Sequence, residues 1–398
     1  MKFTYVNNEN SAKIKVVGVG GAGGNAVNNM IASNLEGVKF IAANTDAQAL
    51  EMSLASTKLQ LGVKLTEGLG AGSNPKIGEE AALESEEDFR NLFIDSHMVF
   101  ITAGFGGGTG TGAAPVISKI CRDLGALTVA VVTKPFSFEG KKRIRQAEEG
   151  IETLKEVADT VITIPNDRLK GYGAKNSKLI DIFKKADEIL LHSVRGITDL
   201  IMKPGLVNLD FADVKTTMSK AGLAIMGIGV ASGENRATEA AKRAISHPLL
   251  EDISISGAKG VLMNITSTSD LTMEDMTEAA ERIHEEVGDE AEIIWGQALD
   301  EELGDELRVT VIATGIGGSK DSVKVVPDIQ AADNIIRGKI RDLTADDLKT
   351  AVNYDEPTFI RRQELLNGTT NSPEFKGLII DNDLDIPTFM RKRETHLT

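Results

Sequence analysis

The strongest chemical signal in the chain is nine residues long. Gly104-Phe105-Gly106-Gly107-Gly108-Thr109-Gly110-Thr111-Gly112 holds six glycines and two threonines, with no lysine or arginine. An apolar, strand-like segment (98–102) precedes it, and a helix-like segment starting near Ala113 follows. A strand, a glycine turn and a helix start turn backbone N–H groups toward an anion. Glycine lets that backbone come close to phosphate oxygens. The missing lysine excludes the common P-loop, which ends in Gly-Lys-Ser/Thr. Two further glycine turns follow other strand-like segments. One is Gly18-Val19-Gly20-Gly21-Ala22-Gly23, which satisfies G-x-G-x-x-G; the other is Gly68-Leu69-Gly70-Ala71-Gly72-Ser73-Asn74-Pro75. The first, taken alone, suggests a dinucleotide site with Asp46 as its ribose acid, and hence an NAD-dependent oxidoreductase. Three turns around one mouth suit a triphosphate better, because it carries more charge than a pyrophosphate bridge. With no cationic side chain in the turns, such an anion must be held by N–H groups, helix N-termini and Mg²⁺.

A second cluster, Asn208, Asp210 and Asp213, follows a long helical pattern and opens the next helix. Asp210 reads as an N-cap and Asp213 as a first-turn acid. The same carboxylates have the chemistry to orient or polarise an attacking water and to help hold a cation. The two readings are compatible. If the preceding helix is long and straight, the acids lie at the far end from the glycine turns. They then cannot reach the nucleotide of their own chain, but they can reach that of a neighbour stacked head to tail.

The elements that must position these groups alternate. Strands are expected over 13–20, 38–43, 98–102, 127–133 and 160–164. Helices are expected over 25–33, after Pro75 and over 141–157. Such alternation predicts a parallel sheet with helices on both faces, with ligands at the carboxyl ends of the strands. Residues 177–202 form an unusually long helical pattern that stops at Pro204-Gly205 and reads as a spine. A second α/β unit follows, with strands near 223–230, 260–265, 291–298 and 308–314 and helices near 236–245 and 273–287. From Ser319 the apolar density drops, and 319–383 reads as a disordered linker.

Composition narrows the function classes. A chain of 398 residues is long enough for two domains with their own cores. Its net charge of −15 argues against general nucleic-acid binding. No apolar run reaches the roughly 18 residues of a membrane span, and the polar N-terminus does not read as a secretory signal. Cys121, the only cysteine, fits a reducing cytoplasm and reads as a small core residue. The five histidines show no zinc-ligand spacing.

The 104–112 run resembles the signature of the tubulin/FtsZ GTPase family. Gly20-Gly21-Ala22-Gly23-Gly24-Asn25-Ala26-Val27, Asn44-Thr45-Asp46, the segment from Pro135 to Gly140, Pro165-Asn166-Asp167 and the segment from Asn208 to Asp213 extend the match. The resemblance is to FtsZ, the bacterial cell-division branch, from about Ala12 to Gly317 and again at the extreme C-terminus. It implies a Rossmann-like GTP-binding domain (13–177) after a flexible N-terminus (1–12). A central helix (178–203), a smaller α/β GTPase-activating domain (204–318), the linker (319–383) and a partner-binding peptide (384–398) follow. It implies GTP and GDP as ligands, with Mg²⁺ held mainly through the phosphates and no direct protein ligand. Gly21, Ala22, Gly23, Gly24 and Asn25, with Gly107, Gly108, Thr109, Gly110 and Thr111, would cradle the phosphates. Ala71 and Gly72 would sit near the γ-phosphate, and Glu139 and Arg143 near the ribose and phosphates. Asn166 and Asp187 would read the guanine edge, with Phe183 stacking near the base. Asn208, Asp210 and Asp213 would complete hydrolysis at the next subunit of a head-to-tail filament. The resemblance further implies a scaffold for the division ring at midcell, tethered by division proteins such as FtsA, without insertion into the membrane. A non-polymerising regulator of the same fold would keep the glycine loops but could lose Asp210 or Asp213, and both are present.

The tail departs from the family pattern. Asp355-Glu356-Pro357-Thr358-Phe359-Ile360-Arg361-Arg362 is an imperfect copy of Asp385-Ile386-Pro387-Thr388-Phe389-Met390-Arg391-Lys392. Glu356 stands where the terminal copy has Ile386 and would weaken an apolar pocket contact, so the terminal copy is expected to be the primary ligand. Two copies could raise avidity for a multivalent partner.

Overall fold

Runs of β-branched and apolar residues, buried on both faces, make the central strands. The computed structural model describes residues 12–172, 178–203, 205, 207, 209–219, 222–250, 255–288 and 291–316. Asn208, Pro204, the N-terminal 11 residues, the 319–383 segment and both tail motifs lie outside the described residues. In chain order the first elements are β1 (Ile14–Val19), α1 (Gly20–Ala32), β2 (Val38–Asn44), α2 (Ala47–Glu51), β3 (Thr57–Gln60), α3 (Val63–Thr66), α4 (Pro75–Glu84), α5 (Glu86–Phe93) and β4 (Met98–Gly104). Then come α6 (Thr109–Asp123), β5 (Leu127–Lys134), α7 (Lys141–Val157), β6 (Thr160–Pro165), α8 (Leu179–Met202) and α9 (Phe211–Met218). The last are β7 (Gly222–Ser232), α10 (Arg236–Ile245), β8 (Gly260–Ser267), α11 (Met273–Val287), β9 (Glu292–Leu299) and β10 (Glu306–Ile316).

The strands form one sheet in the order β3-β2-β1-β4-β5-β6-β7-β10-β8-β9. It is parallel from β3 to β7, β10 runs antiparallel to both its neighbours, and β9 pairs parallel with β8. The second α/β layer therefore continues the first sheet through a short β6–β7 pairing, Thr160–Ile162 against Gly222–Ala224. Alternate strand residues feed different cores. Val16, Phe100, Val129 and Ile162 pack with α1 and α8, whereas Val17, Val99, Ile101 and Ala130 pack against the helices of the other face. A third cluster covers the face of β7–β10 that carries α10 and α11.

Helix α8 shares a core with both layers. Its Leu190, Val194 and Ile197 belong to the cluster that holds Val16 and Phe100 of the first layer and Met226, Leu262 and Ile312 of the second. This double contact explains why its second half is buried nearly all round, where a surface helix would show one apolar stripe. Cys121 is buried in α6, and burial pushes its thiol well above the usual range, which makes it an inert packing residue.

Two helices begin earlier than the sequence reading expected. α6 starts at Thr109 rather than near Ala113, and α1 at Gly20 rather than Asn25. The glycines that suggested a longer turn are helical, because each helix lies directly on neighbouring backbone. A Cβ on Gly110 would sit 2.5 Å from the Gly104 carbonyl oxygen, and one on Gly23 would sit 2.3 Å from that of Thr102. The glutamate-rich helix after Pro75 is two helices, α4 and α5, divided at Ser85.

The contact between α4 and α6 gives a direct test. A Cβ on Gly112 would stand 1.9 Å from the Pro75 carbonyl oxygen and 2.6 Å from the Glu79 nitrogen. Gly112→Ala is expected to destabilise the chain by about 1–3 kcal/mol through overpacking, read as a lower urea midpoint with unchanged slope. Gly24→Ala, where a Cβ meets nothing within 4 Å, is the control and should leave the midpoint unchanged or slightly raised.

Candidate functional site

The 68–75 glycine turn follows the short helix α3 rather than a strand, and the other two glycine turns meet at the carboxyl ends of β1 and β4. These strands are adjacent, with β2 and β3 to one side and β5 and β6 to the other. This is the topological switch point at which open α/β sheets bind ligands. β1 enters α1 through Gly20, whose φ of +71° is left-handed and suits glycine. β4 enters α6 through residues 105–108. Neither helix has a side-chain N-cap or an acidic residue in its first turn. The leading N–H groups of both helices are therefore unclaimed by protein, and both dipoles present positive ends to the same space.

A cleft of about 360 Å³ opens there. Gly20, Gly21, Ala22 and Asn25 of α1 and Gly107, Gly108, Thr109 and Gly110 of the second turn line one end. A Cβ at Gly21 or Gly107 would meet no protein atom within 4 Å, and neither residue is left-handed. Neither packing nor backbone conformation calls for glycine at these two positions. What their missing side chains keep open is the cleft, where a ligand can approach the backbone. Around them the turn is held by hydroxyls. Thr111 Oγ1 accepts from the Gly106 N–H (2.9 Å), and Thr45 and Thr109 share a hydroxyl hydrogen bond (2.7 Å).

The other end of the cleft is built by α8, α7 and the end of β6. Phe183, Ala186, Asp187 and Leu190 line it from α8, at the i, i+3, i+4, i+7 spacing of one helical face. Burial, with Glu188 adding to it, raises the Asp187 carboxyl to about 6. Asn166 is buried, and its Oδ1 has no hydrogen-bond partner, so it is an acceptor available to a ligand's donor. Glu139 accepts the Phe136 N–H through Oε1 (2.8 Å) and pairs with Arg143 through Oε2 (2.6 Å). The Phe183 ring meets buried Phe136 edge-on, with centroids 5.5 Å apart at 89°.

Not every expected residue lines this cleft. Gly23 is packed under α1 against Thr102 and Gly18. Gly24 faces a smaller recess, of about 130 Å³, that also holds Asn28 and Asn44. Ala71 is buried against Gly108, and Gly72 takes a left-handed φ of +57° in the adjoining loop. Thr111 is turned inward to Gly106. Asp46 caps α2, accepting from the Gln48 and Ala49 N–H groups, and does not line the cleft. The ribose-acid role that an NAD site would give it is thus not built. Thr133, Pro135, Ala186 and Leu190 line the cleft without having been singled out. For Ala186 and Leu190 the helical spacing from Phe183 was the available signal. Among the described residues, no three His, Cys, Asp or Glu side chains gather as a metal cluster.

The acid pair sits elsewhere. Asp210 caps α9 and accepts the Asp213 N–H (2.9 Å), and both residues are exposed. Phe211 contacts the ring of His97 (6.0 Å), which immediately precedes β4. The acids therefore lie at the amino end of a strand whose carboxyl end opens on the cleft. At about 3.3 Å per residue β4 alone puts roughly 20 Å between them. From Asp187 to Met202 α8 advances about 22 Å.

Comparisons with known proteins agree with this architecture. Residues 13–173 match the family model described as Tubulin/FtsZ family, GTPase domain, and residues 222–317 match FtsZ family, C-terminal domain. The chain is 47% identical to the cell division protein FtsZ of Coxiella burnetii, covering 96% of this chain and 97% of that protein. It is 48% identical to the cell division protein FtsZ of Pseudomonas aeruginosa, over 98% of this chain and 99% of that one. Among solved structures it is similar to an empty FtsZ dimer from M. jannaschii, with a TM-score of 0.75 at 48% identity, over 78% of this chain and 90% of that one.

The open glycines separate ligand binding from folding. Gly107→Ala and Gly21→Ala are expected to keep the wild-type melting temperature and to weaken GDP binding about tenfold or more, the scale of one lost charged hydrogen bond. Gly23→Ala should instead lower the melting temperature. Calorimetric titration with GDP beside thermal unfolding of the three variants reads both effects.

Proposed function

The chain belongs to the tubulin/FtsZ family as a cell-division GTPase, and from that premise we propose that it polymerises head to tail and completes GTP hydrolysis only where two subunits meet. The observation that carries this reading is the separation of the acid pair from the cleft. Asp210 and Asp213 are exposed near the amino end of β4, and the nucleotide cleft opens at its carboxyl end. A chain stacked in the same orientation brings the acids of one subunit to the cleft of the next.

In this reading the N–H groups at the starts of α1 and α6 hold the phosphates, and Gly21 and Gly107 allow the close approach. Arg143, positioned by Glu139, serves the ribose and phosphate region. The neighbour's Asp210 and Asp213, with Asn208, orient the water that attacks the terminal phosphorus, and GDP leaves while the N–H groups stabilise the charge on the phosphates. Mg²⁺ supplies charge neutralisation on the phosphate oxygens. The carboxylates lining the cleft fit an ion carried by phosphate rather than by protein. Glu139 is engaged by Phe136 and Arg143, and Asp187 lies at the opposite end from the glycines. Asn166 and the Asp187 carboxylate accept from the guanine edge, whose N1–H and N2–H₂ adenine does not offer. The filament would scaffold the division ring at midcell, with division proteins such as FtsA docking on the terminal peptide and its imperfect copy at 355–362. Among the described residues no helix is long and apolar enough to cross a membrane.

Complementation tests the shared site. Asp213→Ala is expected to bind GTP normally and to hydrolyse it slowly. Gly107→Ala should lose activity through weak binding. Mixed together, the two should recover phosphate release, because an intact cleft then meets an intact acid pair. Additive, unrecovered activity, or wild-type turnover per subunit that does not rise with protein concentration, would contradict an interfacial site.

The raised Asp187 carboxyl gives a pH test. Guanine needs the carboxylate, so protonation competes with binding. Affinity for GDP should be level above pH 7 and fall about tenfold between pH 7 and pH 5, since one pH unit below the pKa corresponds to a tenfold loss of the charged form. Asp187→Asn should flatten this dependence. It should also favour xanthosine over guanosine nucleotides, because its amide donates to the xanthine C2 carbonyl.

A further inference from the structure

We propose that the turn over residues 135–140, between β5 and α7, is a retention clamp for the bound nucleotide. Phe136 and Ser137 are its positioning residues, acting through Phe183 and through the segment that carries Asn166. This inference rests on the reading of the cleft as a guanine-nucleotide site.

The turn is tied to three separate walls of that cleft. Its Phe136 ring is fully buried and meets Phe183 of α8 edge-on. Its Glu139 carboxylate accepts the Phe136 N–H and pairs with Arg143 of α7. Its Ser137 donates both N–H (3.0 Å) and Oγ–H (3.1 Å) to Asp167, the residue that follows Asn166 at the end of β6. Phe138 stacks on the outer face of Phe136, with centroids 5.1 Å apart and planes within 11°. One short turn thus joins α8, α7 and the end of β6, the three elements that carry Asp187, Arg143 and Asn166.

Phe183 shows why such a tie matters. Its ring is 42% exposed on a helix surface, so packing on α8 alone leaves it rotamer freedom. The edge contact with Phe136 selects one ring orientation, and a base landing on Phe183 then does not have to order it. Pre-organisation of this kind lowers the cost of binding and shows mainly in the dissociation rate. The Ser137–Asp167 pair does the same for the Asn166 segment. Phe136 and Ser137 do not touch the nucleotide in this scheme, which makes them positioning residues.

The test is release of radiolabelled GDP from the full chain into excess unlabelled GDP. Phe136→Leu is expected to speed release about 3- to 10-fold, the range of an aromatic edge contact. Ser137→Ala should speed it about 2-fold, and Ser137→Thr, which keeps the hydroxyl, should restore the wild-type rate. In a double-mutant cycle, Phe136→Leu with Phe183→Leu should release no faster than Phe183→Leu alone, since the first acts through the second. Multiplying effects in the double variant, or wild-type release from both Phe136→Leu and Ser137→Ala, would overturn the clamp. If Phe136→Leu does not fold, the Ser137 pair decides alone: equal release by the alanine and threonine variants overturns the proposal. Wild-type release from Phe183→Leu would instead overturn the base-site reading beneath it, so the two failures are distinguishable.

Discussion

The whole arrangement depends on how closely bare backbone can approach at the β1–β4 junction. Two helices can start side by side over adjacent strands only if no Cβ stands between helix and sheet. Gly18, Gly23 and Gly104 let α1 lie on β1 and β4, and Gly110 does the same for α6. That contact aligns two uncapped helix ends on one small volume. A cationic side chain could supply the same field, but only as a point charge on a flexible stem. Fixed N–H groups supply direction as well as charge, and they need no ordering when the ligand arrives. The absence of lysine from all three glycine turns follows from this choice.

The glycines divide into two kinds, and the division separates folding from binding. Gly23 and Gly112 are required by packing, because a side chain there collides with a carbonyl oxygen. Gly21 and Gly107 are required by nothing in the protein, so their requirement comes from what enters the cleft. The sequence alone cannot make this distinction, because both kinds look alike in a glycine-rich run. It emerges only when the neighbours of each absent Cβ are known. The same ambiguity displaced the expected start of α1 from Asn25 to Gly20 and that of α6 from Ala113 to Thr109. Glycine normally signals a turn, and here tertiary contact makes it helical.

Much of the rest was legible, and for identifiable reasons. α7, α10 and α11 begin and end at the expected residues, since each carries a clean apolar stripe against a charged outer face. The buried strands were visible as unbroken apolar runs. β3, α2 and α3 were missed because each has four or five residues, too few for a period to show. The continuity of the sheet was hidden as well, because it rests on a three-residue pairing between β6 and β7. At the site, Phe183 and Asp187 were singled out by the family resemblance, and their four-residue spacing put them on one helical face. The edge contact from Phe136 was not, because it joins residues 47 positions apart in elements whose packing no local pattern encodes.

In the proposed mechanism, the length of α8 turns this local chemistry into a property of assemblies. A helix that shares a core with both layers cannot bend to bring its two ends together, since its second half is buried nearly all round. Its first half carries Phe183 and Asp187 into the cleft, and its far end leads to the capped start of α9 with Asp210 and Asp213. Capping also fixes one of the acids: Asp210 accepts the Asp213 N–H, which holds the Asp210 carboxylate and the Asp213 backbone in place. In the proposed mechanism, an acid pair about 20 Å from its own cleft gains a substrate by translation of a second chain along the same axis. Under the proposed mechanism, the residues that make α8 a good core helix are therefore the ones that keep an isolated subunit from completing its own active site.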